Sequence, residues 1–278
     1  MHTDVTELRD FYAAPLGLVV RRLLSQKIRS KWPRPAGRPE VSRDGTLIPR
    51  ESVLMGFGFA SPFLGSFRGE ASHICALMPA GQGALVWPSA DRNMSVLVEE
   101  AQLPLPDNSV DRMLIIHGLE VAERPDALIR EMWRVLSPAG RLLIVVPNRS
   151  GVWARMDTTP FGQGRPYSRG QLDTLLRDSM FTPLSWDTAL HAPPIDRGFI
   201  VRSAATIEKI GSRVSRRFAG VILVEATKEL IAPVGKRATA RVERKLIPIQ
   251  TGALAPTRMR YAEGSAREVA DDASPLAR

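Results

Sequence analysis

The chain has 278 residues, 44% of them apolar and 24% charged, with a formal net charge of +9. That is enough apolar material for a full core, and the composition excludes a collagen, a low-complexity disordered chain and a disulfide-stapled mini-protein. Cys75 is the sole cysteine, so an internal disulfide and a cysteine-rich zinc site are both excluded, and a reducing, cytoplasmic setting is expected.

The first ten residues carry acids at Asp4, Glu7 and Asp10 in place of a basic stretch followed by an apolar core, which does not read as a secretory signal. Leu8, Phe11, Tyr12, Leu16, Val20, Leu24 and Ile28 then recur at helical spacing, with Pro15 suited to the first turn of a second helix. Arg21, Arg22, Lys27 and Arg29 fall on the polar face of that helix, and a loop rich in Pro and Arg follows. Residues 1–50 are therefore read as a basic helical extension. A basic amphipathic helix can lie on nucleic acid or an anionic membrane, although so regular an apolar stripe is more simply a packing face.

From Glu51 the pattern changes to short apolar runs alternating with helical segments. Runs at Ser52–Met55, His73–Leu77, Met94–Val98, Asp111–Ile116, Arg141–Val146, Phe181–Leu190 and Gly220–Ala226 are read as strands. Helices are expected at 124–136, at 168–178 with Ser168 as N-cap, and over the basic segment 201–218. Residues 71–90 carry no formal charge, but Pro79, Gly81, Gln82, Gly83 and Pro88 interrupt them, so they do not read as a membrane span. Strands alternating with helices predict an α/β domain over residues 51–230, and the unbroken apolar run Leu142–Val146 suits a central parallel strand. The sequence after about residue 231 lacks a strong period and is read as a basic, largely disordered tail.

The pair Gly56 and Gly58 follows the first strand directly, where missing Cβ atoms allow a close backbone approach. A dinucleotide fingerprint would place a third glycine where Ser61 stands, so a dehydrogenase is disfavoured. A more specific signal is the block Glu99-Glu100-Ala101-Gln102-Leu103-Pro104-Leu105-Pro106-Asp107-Asn108-Ser109-Val110-Asp111, followed by Ile116-His117-Gly118-Leu119-Glu120 and by Arg134-Val135-Leu136-Ser137-Pro138-Ala139-Gly140. These segments resemble the class I S-adenosylmethionine-dependent methyltransferases of the small-molecule subgroup, and Pro166–Leu172 extends the resemblance.

The resemblance implies a Rossmann-like sandwich, mostly parallel with helices on both faces and a final antiparallel strand. It implies S-adenosyl-L-methionine as cofactor, methyl transfer to a small-molecule acceptor, and a cofactor site at Gly56, Phe57, Gly58, Leu77, Met78, Glu99, Glu100, Ala101 and Ile116. His117 is the candidate general base, since its ordinary pKa lies near neutrality. Glu120 is read as a helix cap, and Trp153, Arg165 and Tyr167 as candidates for an acceptor pocket. The histidines show no metal-ligand spacing, so no metal is expected. Three positions depart from the family pattern, one of them Ala60, which stands in place of its third glycine. Leu54 stands where an acid usually precedes the first glycine, and Leu77-Met78-Pro79 replaces the acid that ends the second strand. The alternative these departures suggest is a catalytically degenerate scaffold that binds an anionic partner, RNA or a membrane surface, through its basic flanks.

Overall fold

The computed structural model describes residues 4–32, 39–41, 47–49, 52–194 and 218–229. The expected helix at 201–218 and the expected tail lie outside these residues, apart from Phe218. Asp4 caps α1 (Val5–Ala13) by accepting the Thr6 amide at 2.7 Å, and Pro15 opens α2 (Pro15–Lys31). A proline is well placed there, because its missing N–H would have no helical partner in the first turn. Strands β1 (Pro39–Val41) and β2 (Leu47–Pro49) pair as a small antiparallel ribbon.

The remaining strands are β3 (Val53–Gly58), β4 (His73–Pro79), β5 (Pro88–Ser89), β6 (Arg92–Asn93), β7 (Ser95–Val98), β8 (Val110–Ile116), β9 (Leu136–Pro147), β10 (Phe181–Ala189) and β11 (Val221–Lys228). Apart from the β5–β6 ribbon, they form one seven-stranded sheet in the order β10-β11-β9-β8-β3-β4-β7. β11 runs antiparallel to both of its neighbours, while the pairs from β9 through β7 are parallel. This is the mostly parallel sheet with a final antiparallel strand that the family resemblance implies. The β9 segment Leu142–Val146 is buried, as a strand flanked on both sides and covered on both faces must be.

Two apolar layers cover the faces. On one side, Leu8, Tyr12, Leu24, Ile28 and Trp32 pack with Phe63 of α3 (Ser61–Leu64) against Leu54, Leu114, Leu143 and Leu223. On the other, α4 (Pro125–Val135) and α5 (Arg169–Asp178) bury Leu128, Met132, Leu172 and Leu176 against Met113, Leu142, Ile144 and Val224. Ser168 and Gln171 close a reciprocal capping box at the start of α5. The composition break at residue 50 is not a break in packing, because α1 and α2 belong to the same compact unit, Met1–Pro233. Accordingly, Ile28→Val, which removes one fully buried methylene, is expected to lower whole-domain stability by about 1 kcal/mol in a denaturant titration. An independent extension would leave the main transition unmoved.

Three local features depart from a regularly alternating β/α pattern. The crossover from β4 to β7 is made by the β5–β6 ribbon with no helix among its residues, and Val96 and Leu97 of β7 stay exposed. The crossover from β3 to β4 holds only α3 and one further short turn. At the opposite side of the sheet, the register of β10 shifts between Pro183 and Ser185, and Lys27 and Lys31 of α2 reach Asp187 and Ser185 of this strand.

Candidate active site

Open parallel sheets bind ligands beyond the carboxyl ends of their strands, where the strand order reverses. Here the reversal lies at β3 and β8, which end side by side at Gly58 and Ile116. Gly58 adopts φ +77°, and the Phe59 amide donates to the Ile116 carbonyl at 2.8 Å. A Cβ on Gly58 would stand 2.4 Å from that same oxygen, and one on Gly56 would stand 2.6 Å from the Cβ of Ala60. Both glycines are therefore required by the packing of the chain on itself. Phe57 and Leu77 send their side chains into the α4–α5 layer, and Met78 and Ile116 send theirs into the α1–α2 layer. These four residues present only backbone to the sheet edge. Leu54 is likewise a core residue.

Glu99, Glu100 and Ala101 follow β7 and line a cleft of about 160 Å³ together with Ala80, Gly81 and Arg124. The block that carries these residues is held by Arg134 of α4. Its guanidinium donates to the carbonyls of Leu103 and Leu105 at 3.1 and 2.9 Å, to Asp107, and to both oxygens of Glu131 at 2.6 and 3.0 Å. Glu131 also accepts the Leu103 amide at 2.7 Å. Burial pushes the Glu131 carboxyl up, but the hydrogen bonds from Arg134 and Leu103 and the Arg134 charge together hold it below its ordinary value. Asn108 turns the chain at φ +58°, and Lys228 donates to its side chain and to the Leu136 carbonyl. Asp111 accepts the Val53 amide at 3.0 Å and the Ser137 hydroxyl at 3.1 Å. Most of this block is thus a structural clasp, and only its first residues reach the cleft.

His117 lies just past β8 in a left-handed conformation, φ +51°, with its side chain only 3% exposed. Its Nε2 is 2.8 Å from the Tyr12 hydroxyl, and its Nδ1 is 3.2 Å from Oε1 of Glu120. Gln82 donates its side-chain amide to the His117 carbonyl, while its backbone carbonyl accepts the Val5 amide at 2.9 Å. The first turns of α1 are thereby tied over the sheet edge. Tyr12 stacks on Phe59 at 5.6 Å with planes 15° apart, and Phe161 lies 4.7 Å from the His117 ring. Burial raises the Tyr12 phenol well above its ordinary pKa, and the nearby Glu120 charge adds to the rise.

The sequence pointed to His117 but not to its partners. Glu120, expected as a helix cap, is instead buried against the imidazole, and its Oε2 has no hydrogen-bond partner among the described residues. Tyr12 is 105 positions from His117, so spacing carried no signal for it. The only hint of Gln82 was one amide side chain in an otherwise uncharged stretch. Trp153 and Tyr167 are buried, with Trp153 donating to the Ala192 carbonyl at 2.8 Å and Tyr167 to the Leu119 carbonyl at 3.4 Å. Burial, with the Glu120 charge, pushes the Tyr167 phenol up to about 12. No cluster of three or more metal-ligating side chains occurs among the described residues.

Residues 78–144 match the family described as a methyltransferase domain. The chain is 31% identical over 157 residues to a ubiquinone/menaquinone biosynthesis C-methyltransferase of Rubrivivax gelatinosus, covering 49% of this chain and 62% of the relative. It is 32% identical over 145 residues to a probable S-adenosylmethionine-dependent methyltransferase of Mycobacterium tuberculosis, covering 51% of this chain and 50% of that one. The chain thus spans less than two thirds of the length of either relative. Among solved structures, the fold is similar to that of an S-adenosylmethionine-dependent methyltransferase, possibly a histamine N-methyltransferase, from Thermotoga maritima. The TM-score is 0.54 at 14% identity, covering 81% of this chain and 96% of that one. Residues 78–144 are thus similar in sequence to a methyltransferase domain, and the fold around them is the one shared with the Thermotoga structure.

Proposed function

We propose that the protein transfers a methyl group from S-adenosylmethionine to a small-molecule acceptor. The observation that carries this reading is the cleft at the carboxyl edge of the sheet, where Glu99, Glu100 and Ala101 meet the turn after β4. A pocket for a whole ligand of that size ordinarily measures about 300–1,000 Å³, so a cleft of about 160 Å³ suits one end of it. The carboxylates of Glu99, Glu100 and Glu123 beside small residues fit the nucleoside end, whose hydroxyls and amine donate hydrogen bonds. They stand in for the acids that Leu54 and Met78-Pro79 do not provide. The methionine end would lie toward Gly56, Phe57 and Gly58, with Leu77, Met78 and Ile116 contributing backbone, under the roof made by Tyr12, Phe59 and Gln82.

When bound, S-adenosylmethionine supplies an electrophilic methyl carbon on a positively charged sulfur. The chain orients the two reactants and excludes water, the main requirement of an in-line displacement, and Nε2 of His117, which faces the Tyr12 hydroxyl, would take a proton from the acceptor. A small-molecule acceptor is supported by the Rubrivivax relative, a methyltransferase of ubiquinone/menaquinone biosynthesis. The lone Cys75 supports a reducing, cytoplasmic setting. No helix among the described residues is long and apolar enough to cross a membrane. An anionic surface as partner finds less support, because Lys27 pairs with Asp187, Arg29 with Glu70, and Lys31 donates to Ser185.

Isothermal titration with S-adenosylhomocysteine is expected to show one binding event. Glu99→Gln should weaken it about tenfold, the value of one hydrogen bond to a charged group. Absence of heat up to millimolar ligand would sink the proposal.

A further inference from the structure

We propose that Glu120 and Tyr12 complete the proton acceptor at His117: Glu120 fixes the imidazole with its proton on Nδ1, and the Tyr12 hydroxyl holds the place at Nε2 that the acceptor's O–H or N–H takes. This inference rests on the methyl-transfer reading and adds to it two residues and one requirement on the acceptor.

The geometry carries it in three steps. Glu120 and His117 are both buried, and Oε1 lies 3.2 Å from Nδ1. A carboxylate only accepts, so Nδ1 must donate, which leaves the Nε2 lone pair pointing at Tyr12. The phenol 2.8 Å away is then the donor. Nothing in the fold of β8 requires this chain of contacts, since Tyr12 comes from α1 and reaches the sheet edge by packing on Phe59 and Phe63. A tyrosine there closes the one imidazole nitrogen that could otherwise take a proton from outside.

Two further observations point to a ligand at this place. Oε2 of Glu120 is buried with no hydrogen-bond partner among the described residues. Such an atom loses its hydration on folding without replacement, an arrangement kept at sites whose charge is used. His117 also holds a left-handed backbone that few non-glycine residues adopt, and such strain gathers at active sites. Once the acceptor's X–H group takes the place of the Tyr12 hydroxyl, the X–H bond breaks toward Nε2, a new N–H bond forms there, and the electron pair stays on X for the displacement. The resulting imidazolium is stabilised by the Glu120 carboxylate, the role of the acid in other acid-histidine pairs. Glu120 is thus a positioning residue, and Tyr12 is an internal stand-in for the acceptor's donor group.

The test uses the full chain labelled with ¹⁵N, the His117 ring signals being assigned by their loss in His117→Gln. Two-bond nitrogen–proton correlations at pH 7.5 are expected to show the Nδ1–H tautomer. Glu120→Leu should reverse it to Nε2–H, now donating to Tyr12, while Glu120→Gln, whose amide oxygen still accepts, should keep the original form. Tyr12→Phe should leave the tautomer in place and speed amide exchange across α1 at least tenfold. In Tyr12→Ala, phenol should bind the vacated space and restore the Nε2 shift, whereas toluene should not. A wild-type ring that is doubly protonated or in the Nε2–H form overturns the proposal. So does unchanged exchange in Tyr12→Phe, or equal effects of phenol and toluene. None of these readouts needs a cofactor, so the expected spectra together with no S-adenosylhomocysteine binding would count against methyl transfer alone.

Discussion

Gly58→Ala is expected to destabilise the domain by about 3–4 kcal/mol, which in a protein of this size lowers the Tm by about 8–12 °C. At φ +77° an alanine carries the left-handed penalty, roughly 1–3 kcal/mol for a held backbone outlier. Its Cβ would also stand 2.4 Å from the Ile116 carbonyl oxygen and 2.9 Å from the Gly118 amide nitrogen. Both are backbone atoms of the neighbouring strand and its turn, so no side-chain rotation relieves the overlap. The strand ends must part, which weakens the hydrogen bond from the Phe59 amide to Ile116. Urea titration checks the prediction, and a loss under 1 kcal/mol would show that β8 yields. The same geometry shows why a bulky residue at Gly58 is a poor probe of cofactor contact: lost binding would follow from lost structure. Glu99 is the cleaner probe, since its side chain lines the cleft at an exposed position.

Arg134→Met is expected to cost about 3 kcal/mol. Removing one partner of a buried ion pair typically costs 3–5 kcal/mol, and the low end applies because a third of the Arg134 side chain remains exposed. The substitution leaves the Glu131 carboxylate in a largely buried site and strips the Leu103 and Leu105 carbonyls of their donor. Adding Glu131→Leu should restore part of the stability, because the double variant no longer buries an unpaired charge. The wild type also has a defined acid response. Glu131 is held below its ordinary pKa of 4.5 in the folded state, so its contribution is complete above about pH 4.5 and falls away as the pH drops through the folded value. Arg134→Met should flatten that limb of the stability profile, as read by thermal melts between pH 3 and pH 6. An unchanged limb would assign the acid response to other carboxylates.

The strands were legible because each apolar run is bounded by turn residues, and Leu142–Val146 fell in the interior of the sheet as its lack of alternation required. Ser168 was legible as an N-cap because its partner, Gln171, follows at the proper spacing. What the residues are for was harder to read. Gly56 and Gly58 look like a ligand turn from one strand alone, yet the atoms that exclude a Cβ there come from Ala60, Leu64 and the end of β8. The Leu103–Asp111 block carries the family resemblance because it is a clasp whose partners, Glu131 and Arg134, lie one helix away. Tyr12 read as one more apolar position on a stripe. Only tertiary packing brings its hydroxyl to His117, and no local pattern encodes a contact across 105 residues.

The two outer strands of the sheet differ in how they treat a newcomer. β10 is a poor template for another chain, since Pro183 offers no N–H, the adjacent register shift bends the strand, and two lysines stand beside it. Among the described residues, β7 has none of these guards. It has four residues, with Val96 44% and Leu97 54% exposed, and no helix in the crossover from β4 to β7 shelters them. Self-association of the folded protein at high concentration would therefore proceed edge to edge through β7, and the shortness of that strand is the chief protection against it.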